Sequence, residues 1–415
     1  MAMSTSVFFP DDLISFVFSV LPVKSVLRFR CLCKSCDSLI SDSIFVKFHL
    51  KRSFIRNSIL TINTQHIKHN LYDFIKETES VADYCVIPCP IRRLIENPSF
   101  NLFIDPCYQW NDKGWSHIIG FCNGLICLVG DSFNFTHWYP EYWLRLWNPA
   151  TRITSPKFGN FRISNRETSG FSFGCDNSTN TYKVVAFNYC PEQLTSKVRI
   201  LKVGDNVWRN IESFPVIPLR LGYEENDVCF NDTLNWLAIH NVHLYNFKDI
   251  TVEQFVIVSL DSRTEAYNQY QLPNGFDEVP PKHPTIGVLG GCFCFSYSYR
   301  ETDFVIWKMK KFGVEDSWTQ FLKISYQNLE IDYGINDDTI KYYFQLVPLL
   351  LCEDGDTLIL KSSQDLQLIL YNLRDNSVVR TNIIVSRTPT DNRTSDYLAW
   401  NFFKDSIESL VPPIF

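Results

Sequence analysis

From Ser116 onward one short unit keeps returning: a turn of Asn or Asp with Gly or another small residue, then alternating apolar positions. It reads Cys122-Asn123-Gly124-Leu125-Ile126-Cys127-Leu128, and again Phe230-Asn231-Asp232-Thr233-Leu234-Asn235-Trp236-Leu237. Weaker copies begin at Leu289-Gly290-Gly291-Cys292 and at Glu353-Asp354-Gly355-Asp356. Asn-Gly and Asp-Gly accept the positive φ angles that tight hairpins require. A second strand-like run follows some copies, as Val256–Asp261 and Leu368–Asn372 do. Recurrence at about 60 residues signals a repeat array. Many short antiparallel strands avoid exposed edges most simply as four-stranded blades in a ring. The length available predicts about six blades of ~50 residues each. With 415 residues the chain is long enough for such a ring and a second domain.

The first 50 residues have a different period. Pro10 and Pro22 punctuate them, and proline sits well at a helix start because its missing N–H would be unpaired there. The spacing predicts one helix from about Asp11, with Leu13, Ile14, Val17, Val20 and Leu21 on one face, and a second from about Val23. Asp11 and Asp12 complement the positive end of the first helix. Leu32, Leu39 and Ile40 suggest a third. Three short helices are too few to bury that surface on one another, so the rest of the chain or a partner must cover it. Residues 51–112 are less patterned and read as a linker with first strands at Leu60, Ile62 and Val86.

Two resemblances follow from these residues. Phe9-Pro10-Asp11-Asp12-Leu13-Ile14, Leu21 to Cys31, Cys33-Lys34-Ser35 and Leu39-Ile40-Ser41-Asp42 resemble a plant F-box. Phe9 stands where Leu is usual, and Cys36 where Trp is usual. Leu146-Trp147-Asn148-Pro149-Ala150-Thr151-Arg152, Gly174-Cys175-Asp176, Thr181 to Val185, Trp208 to Ile211, Phe304 to Met309 and Glu315 to Thr319 resemble the F-box-associated interaction domain of plants. Together they are similar to F-box/kelch-repeat and S-locus F-box proteins. The resemblance implies an α+β multidomain chain: a three-helix F-box at 7–50, a linker with first strands at 51–112, and an all-β, kelch-like propeller at 113–413. It implies the substrate receptor of a Skp–cullin–F-box ubiquitin ligase, with no catalytic residue and no cofactor. Phe9, Pro10, Leu13, Ile14, Val17, Leu21, Pro22, Val23, Leu27 and Phe29 would then fill a groove on a Skp-family adaptor, which bridges to a cullin, with Arg30 and Lys34 at the rim. The alternative is a non-ligase scaffold that binds a protein or glycan, with adaptor binding weakened at Phe9 and Cys36.

The substrate end is coded less sharply. Trp110, Trp115, Trp138, Tyr139, Tyr142 and Trp143 cluster in turn-rich sequence. Aromatics of this kind either staple blades together or form binding hot spots. The stretch from His137 to Trp143 is the candidate recognition loop, with Trp138, Tyr139, Tyr142 and Trp143 as contact residues.

Other chemistries fit poorly. Gly170-Phe171-Ser172-Phe173-Gly174 matches G-x-S-x-G, but that motif needs a following helix, and Cys175 to Ser178 reads as a turn before a strand. Cys33-x-x-Cys36 has no second CxxC to complete a zinc site. His66/His69 and His240/His243 lack the Glu and third ligand of a metalloprotease helix, so no metal is expected. A net charge of −6 argues against nucleic acid as partner. No signal peptide and no membrane-spanning run is evident, so a cytoplasmic or nuclear protein with its 14 cysteines as thiols is expected.

Overall fold

The structure is a computed structural model that describes residues 10–56, 58–67, 82–103, 109–110, 116–133, 140–162, 168–190, 195–219, 227–241, 245–331, 344–352, 355–362, 368–386, 398–407 and 409–413. Phe9, Trp115, Trp138, Tyr139, His69 and His243 lie outside the described residues.

Four helices open the described chain: α1 (Asp11–Ser19), α2 (Val23–Phe29), α3 (Lys34–Ser41) and α4 (Ser43–Arg56). The two prolines act as expected. Pro10 and Pro22 hold extended backbone at the N-caps of α1 and α2, and their carbonyls accept the first helical N–H groups. The fourth helix was not expected. Its start is coded by Asp42, whose carboxylate accepts from the N–H groups of Ile44 and Phe45 at 2.6 and 3.3 Å. A one-turn helix, Ile91–Glu96, is a second unforeseen element.

Six antiparallel sheets of four or five strands follow one another around a ring among the described residues. Blade 1 holds Ser116–Cys122, Leu125–Phe133, Pro140–Asn148 and Ile153–Thr154, with Phe158–Arg162 as a fifth strand. Blade 2 holds Thr168–Asp176, Thr181–Cys190, Thr195–Lys202 and Trp208–Ile211. Blade 3 runs from Asp227–Phe230 through Thr233–Ile239 and Phe255–Asp261 to Tyr267–Tyr270. Blade 4 runs from Thr285–Leu289 through Cys292–Tyr299 and Asp303–Met309 to Trp318–Ser325. Blade 5 runs from Leu346–Leu351 through Thr357–Ser362 and Leu368–Asn372 to Val378–Arg380. Blade 6 joins the two ends of the chain: Leu398–Ile407 pairs with Ser58–Ile67, which pairs with Ala82–Pro90 and then Gln109–Trp110. Its C-terminal strand touches the first strands of blades 5 and 1, which closes the ring. Closure by a late strand on an early one ties the two ends of the chain together and leaves only short blade edges.

The turns have the geometry that their residues imply. Asn123 and Gly124 are at φ 52° and 78°, and Asn231 and Asp232 at 51° and 60°. Both central residues are left-handed, as a type I′ hairpin demands. These turns also link blades: Asn123 donates to Asn177 at 3.2 Å, and Asn177 donates to Asp232 at 2.7 Å. Between blades 2 and 3, Lys183 reaches Glu265 at 2.8 Å and the Ser262 carbonyl at 2.5 Å, while Arg209 reaches Glu265 at 2.6 Å.

Blades 4 and 5 meet at a buried histidine. The Gln345 amide donates to His283 Nδ1 at 3.0 Å. Burial, aided by the Lys282 charge, pushes the His283 pKa down to about 3 from 6.5. The unfolded chain takes up this proton below about pH 6.5 and the folded chain does not, so stability is lost as pH falls from there towards 3, at up to about 1.4 kcal/mol per unit. His49, buried in α4, shifts in the same direction for the same reason. His283→Asn is therefore expected to reduce, without abolishing, the slope of the denaturant midpoint between about pH 5 and 6.5. An unchanged slope would place that proton elsewhere.

Candidate functional site

The apolar faces of the N-terminal helices divide into two sets. Val23 and Val26 are fully buried. With Phe18, Ile40, Phe45, Val46 and Leu50 they share one continuous core with Leu125, Leu144, Leu146 and Phe173 of blades 1 and 2 and with the tail residues Leu410 and Val411. Ile14, Leu21, Leu27 and Phe29 are half-buried against that core, and Phe29 stacks on Phe18 with ring centroids 4.9 Å apart. Leu13, Phe16 and Val17 behave differently: they are 47%, 51% and 46% exposed on α1. Ile44, at 76%, and Phe48, at 36%, extend the exposed set onto α4, which packs on α1. Arg52 lies over the rings of Phe16 and Phe48 at 4.3 and 4.7 Å and joins the two helices across this face.

The groove-filling set expected from the sequence is thus only partly free. Pro10, Pro22 and Lys34 are exposed, as Leu13 and Val17 are. Arg30 is half-buried and paired with Asp37 at 2.8 Å. Val23 is a correction: at 0% exposed it supports the module from inside and has no surface to give a partner. The sequence reading missed Phe16, Ile44 and Phe48. Phe16 was legible, because Leu13, Phe16 and Val17 follow the i, i+3, i+4 rule of one helix face. Ile44 and Phe48 sit four apart on the helix whose Asp42 cap went unread.

At the propeller, Tyr142 and Trp143 lie in the strand Pro140–Asn148 rather than in a loop. Trp143 is a second correction. It is 4% exposed, its ring fills the space over Gly130, and Lys157 Nζ stands 4.0 Å from its centroid. A Cβ on Gly130 would come within 2.1 Å of that ring, so glycine is what admits the tryptophan. Tyr142 is half-buried and stacked on Phe161 at 5.4 Å. Alternation along a strand sends neighbouring aromatics to opposite faces, and here both faces are packed.

The motif residues turn out to be fasteners. Asn148 is fully buried; its amide donates to the carbonyls of Ser409 and Val411 at 3.0 and 2.7 Å, and its oxygen accepts from the N–H groups of Ala150 and Thr151. Trp208 donates to the Gly159 carbonyl at 2.8 Å. Ser172, the centre of the G-x-S-x-G run, is buried in the strand Thr168–Asp176 and accepts from Trp236 Nε1 at 3.1 Å. The next element is the strand Thr181–Cys190, so no nucleophile elbow forms. Among the described residues no three His, Cys, Asp or Glu side chains are arranged to hold a metal, and no helix is long and apolar enough to cross a membrane.

Among the described residues, a closed propeller carries a helical module with an uncovered apolar face. Residues 94–411 match the F-box associated beta propeller domain. The F-box/kelch-repeat protein At3g23880 of Arabidopsis thaliana is 26% identical over 325 residues, covering 76% of this chain and 79% of the relative. F-box protein CPR1 of the same plant is 24% identical over 381 residues, covering 85% and 79%. Among solved structures, the β-propeller domain of the Trilobed protease from Pyrococcus furiosus aligns with a TM-score of 0.36 at 10% identity, over 70% of this chain and 82% of that one. The chain belongs to the family of plant F-box proteins with an F-box associated beta propeller domain, related to the F-box/kelch-repeat proteins.

Proposed function

We propose that this protein is the substrate-recognition subunit of a Skp–cullin–F-box ubiquitin ligase. The observation that carries the reading is the exposed strip of Leu13, Phe16 and Val17, continued by Ile44 and Phe48, beside helix residues such as Phe18, Val23, Val26, Ile40, Phe45 and Val46 that are buried in the core. That strip is the part of the helical module left for a Skp-family adaptor, with Pro10 and Lys34 beside it and the cullin reached through the adaptor. Residues 7–50 act as the docking module, 51–112 as linker and first strands, and 113–413 as the domain that captures a target protein. Trp138, Tyr139 and Tyr142 are the proposed target contacts. The subunit needs no reacting group of its own: it raises the effective concentration of a target lysine near a charged conjugating enzyme. Work of this kind places the protein in the cytoplasm or nucleus. Purified chain should co-elute with a recombinant Skp adaptor and cullin. Elution apart from the adaptor at micromolar concentrations of both would overturn the assignment.

A further inference from the structure

Cys33 and Cys36 sit one helical turn apart at the start of α3, and neither belongs to the docking strip. Cys33 is the N-cap in extended backbone, and its sulfur accepts from the Cys36 N–H at 3.3 Å. N-cap and N3 side chains meet by construction, the spacing that capping pairs exploit. The two sulfurs share a hydrogen bond at 3.2 Å. Cys33 is open to solvent, while Cys36 is half-buried against the core below the helices. A third thiol, Cys31, is also exposed but makes no such pair among the described contacts.

We propose that Cys33 and Cys36 form a dithiol modification site that exchanges with low-molecular-weight disulfides of the glutathione class, Cys33 attacking and Cys36 resolving. The Cys33 thiolate attacks one sulfur of the external disulfide, and the first small thiolate leaves with the bonding pair and takes a proton. Cys36 then loses its proton to solvent and attacks Cys33 Sγ, which expels the second small thiolate. Two protein thiols lose two electrons and two protons in all, and one external disulfide becomes two thiols. The roles follow from the surroundings. The Cys36 backbone N–H and side chain lower the pKa of Cys33, and the same shared hydrogen bond raises that of Cys36. An exposed thiolate at a helix start attacks well, and a neighbour whose sulfur is already in contact resolves quickly. The S–S bond asks the sulfurs to approach by only roughly 1 Å.

The test uses the full chain, reduced, then incubated with glutathione and glutathione disulfide, acid-quenched, alkylated and mapped by mass spectrometry. The expected product is a disulfide between Cys33 and Cys36, with Cys31 still alkylated. Before oxidation, Cys33 should alkylate on the order of tenfold faster than Cys31 at pH 7. Cys36→Ser should accumulate glutathione on Cys33. Cys33→Ser should show neither product, and serine, itself a good N-cap, preserves the helix start. Glutathione spread evenly over Cys31, Cys33 and Cys36 without an internal disulfide, or Cys31 taking the place of either partner, would overturn the proposal.

Discussion

Leu13→Asp combined with Phe16→Asp is expected to weaken binding to a Skp-family adaptor by on the order of 100-fold or more, with the propeller melting unchanged. Each side chain is about half exposed in the free chain, so its packing at home is light. Covering the exposed half of each in a partner's groove would contribute ~0.8–1.5 kcal/mol, and each carboxylate carried into that groove costs at least as much again. Together the two losses and the two desolvation costs exceed the ~2.8 kcal/mol that corresponds to 100-fold. Calorimetric titration of the adaptor checks the affinity, and a thermal scan checks the fold. Val23→Asp supplies the contrast. It should also abolish binding, but through the collapse of the module, because Val23 lies in the core that joins helices to blades. Unaltered adaptor affinity in the double variant would mean that this face serves something else.

Asn148→Ala is expected to destabilise the protein by about 2–4 kcal/mol and to loosen the tail. The substitution strips partners from the Ser409 and Val411 carbonyls and from the N–H groups of Ala150 and Thr151. A buried polar group left without a partner costs ~1–3 kcal/mol, and water entering the vacated space offsets part of the sum. The tail matters beyond its length because Leu410 and Val411 belong to the core shared by helices and ring. Amide exchange should therefore speed up in residues 409–411 and in α2 and α3 together. Acceleration confined to the tail would show that the helices hold without it.

Local chemistry was legible wherever a residue's backbone preference acts alone. The prolines at 10 and 22 marked two helix starts, and the Asn-Gly and Asn-Asp turns marked hairpins whose φ angles are as expected. About six blades followed from spacing, and six sheets form the ring among the described residues. Long-range partners were another matter. Pairing of Ser58–Ile67 with Leu398–Ile407 joins segments more than 300 residues apart, and no local pattern encodes it. Trp143 shows the same limit at one residue: its aromatic neighbours suggested a binding loop, yet a glycine across the sheet made room for it inside.

By itself the sequence determined that this chain would be helical at one end and short-stranded through the rest, because turn residues and apolar period act within a few positions. Only the tertiary structure decided which apolar helix residues remain free. Leu13 and Val23 read alike along the chain, and they part company because the blade 1 and 2 core and the C-terminal tail cover one and leave the other in water.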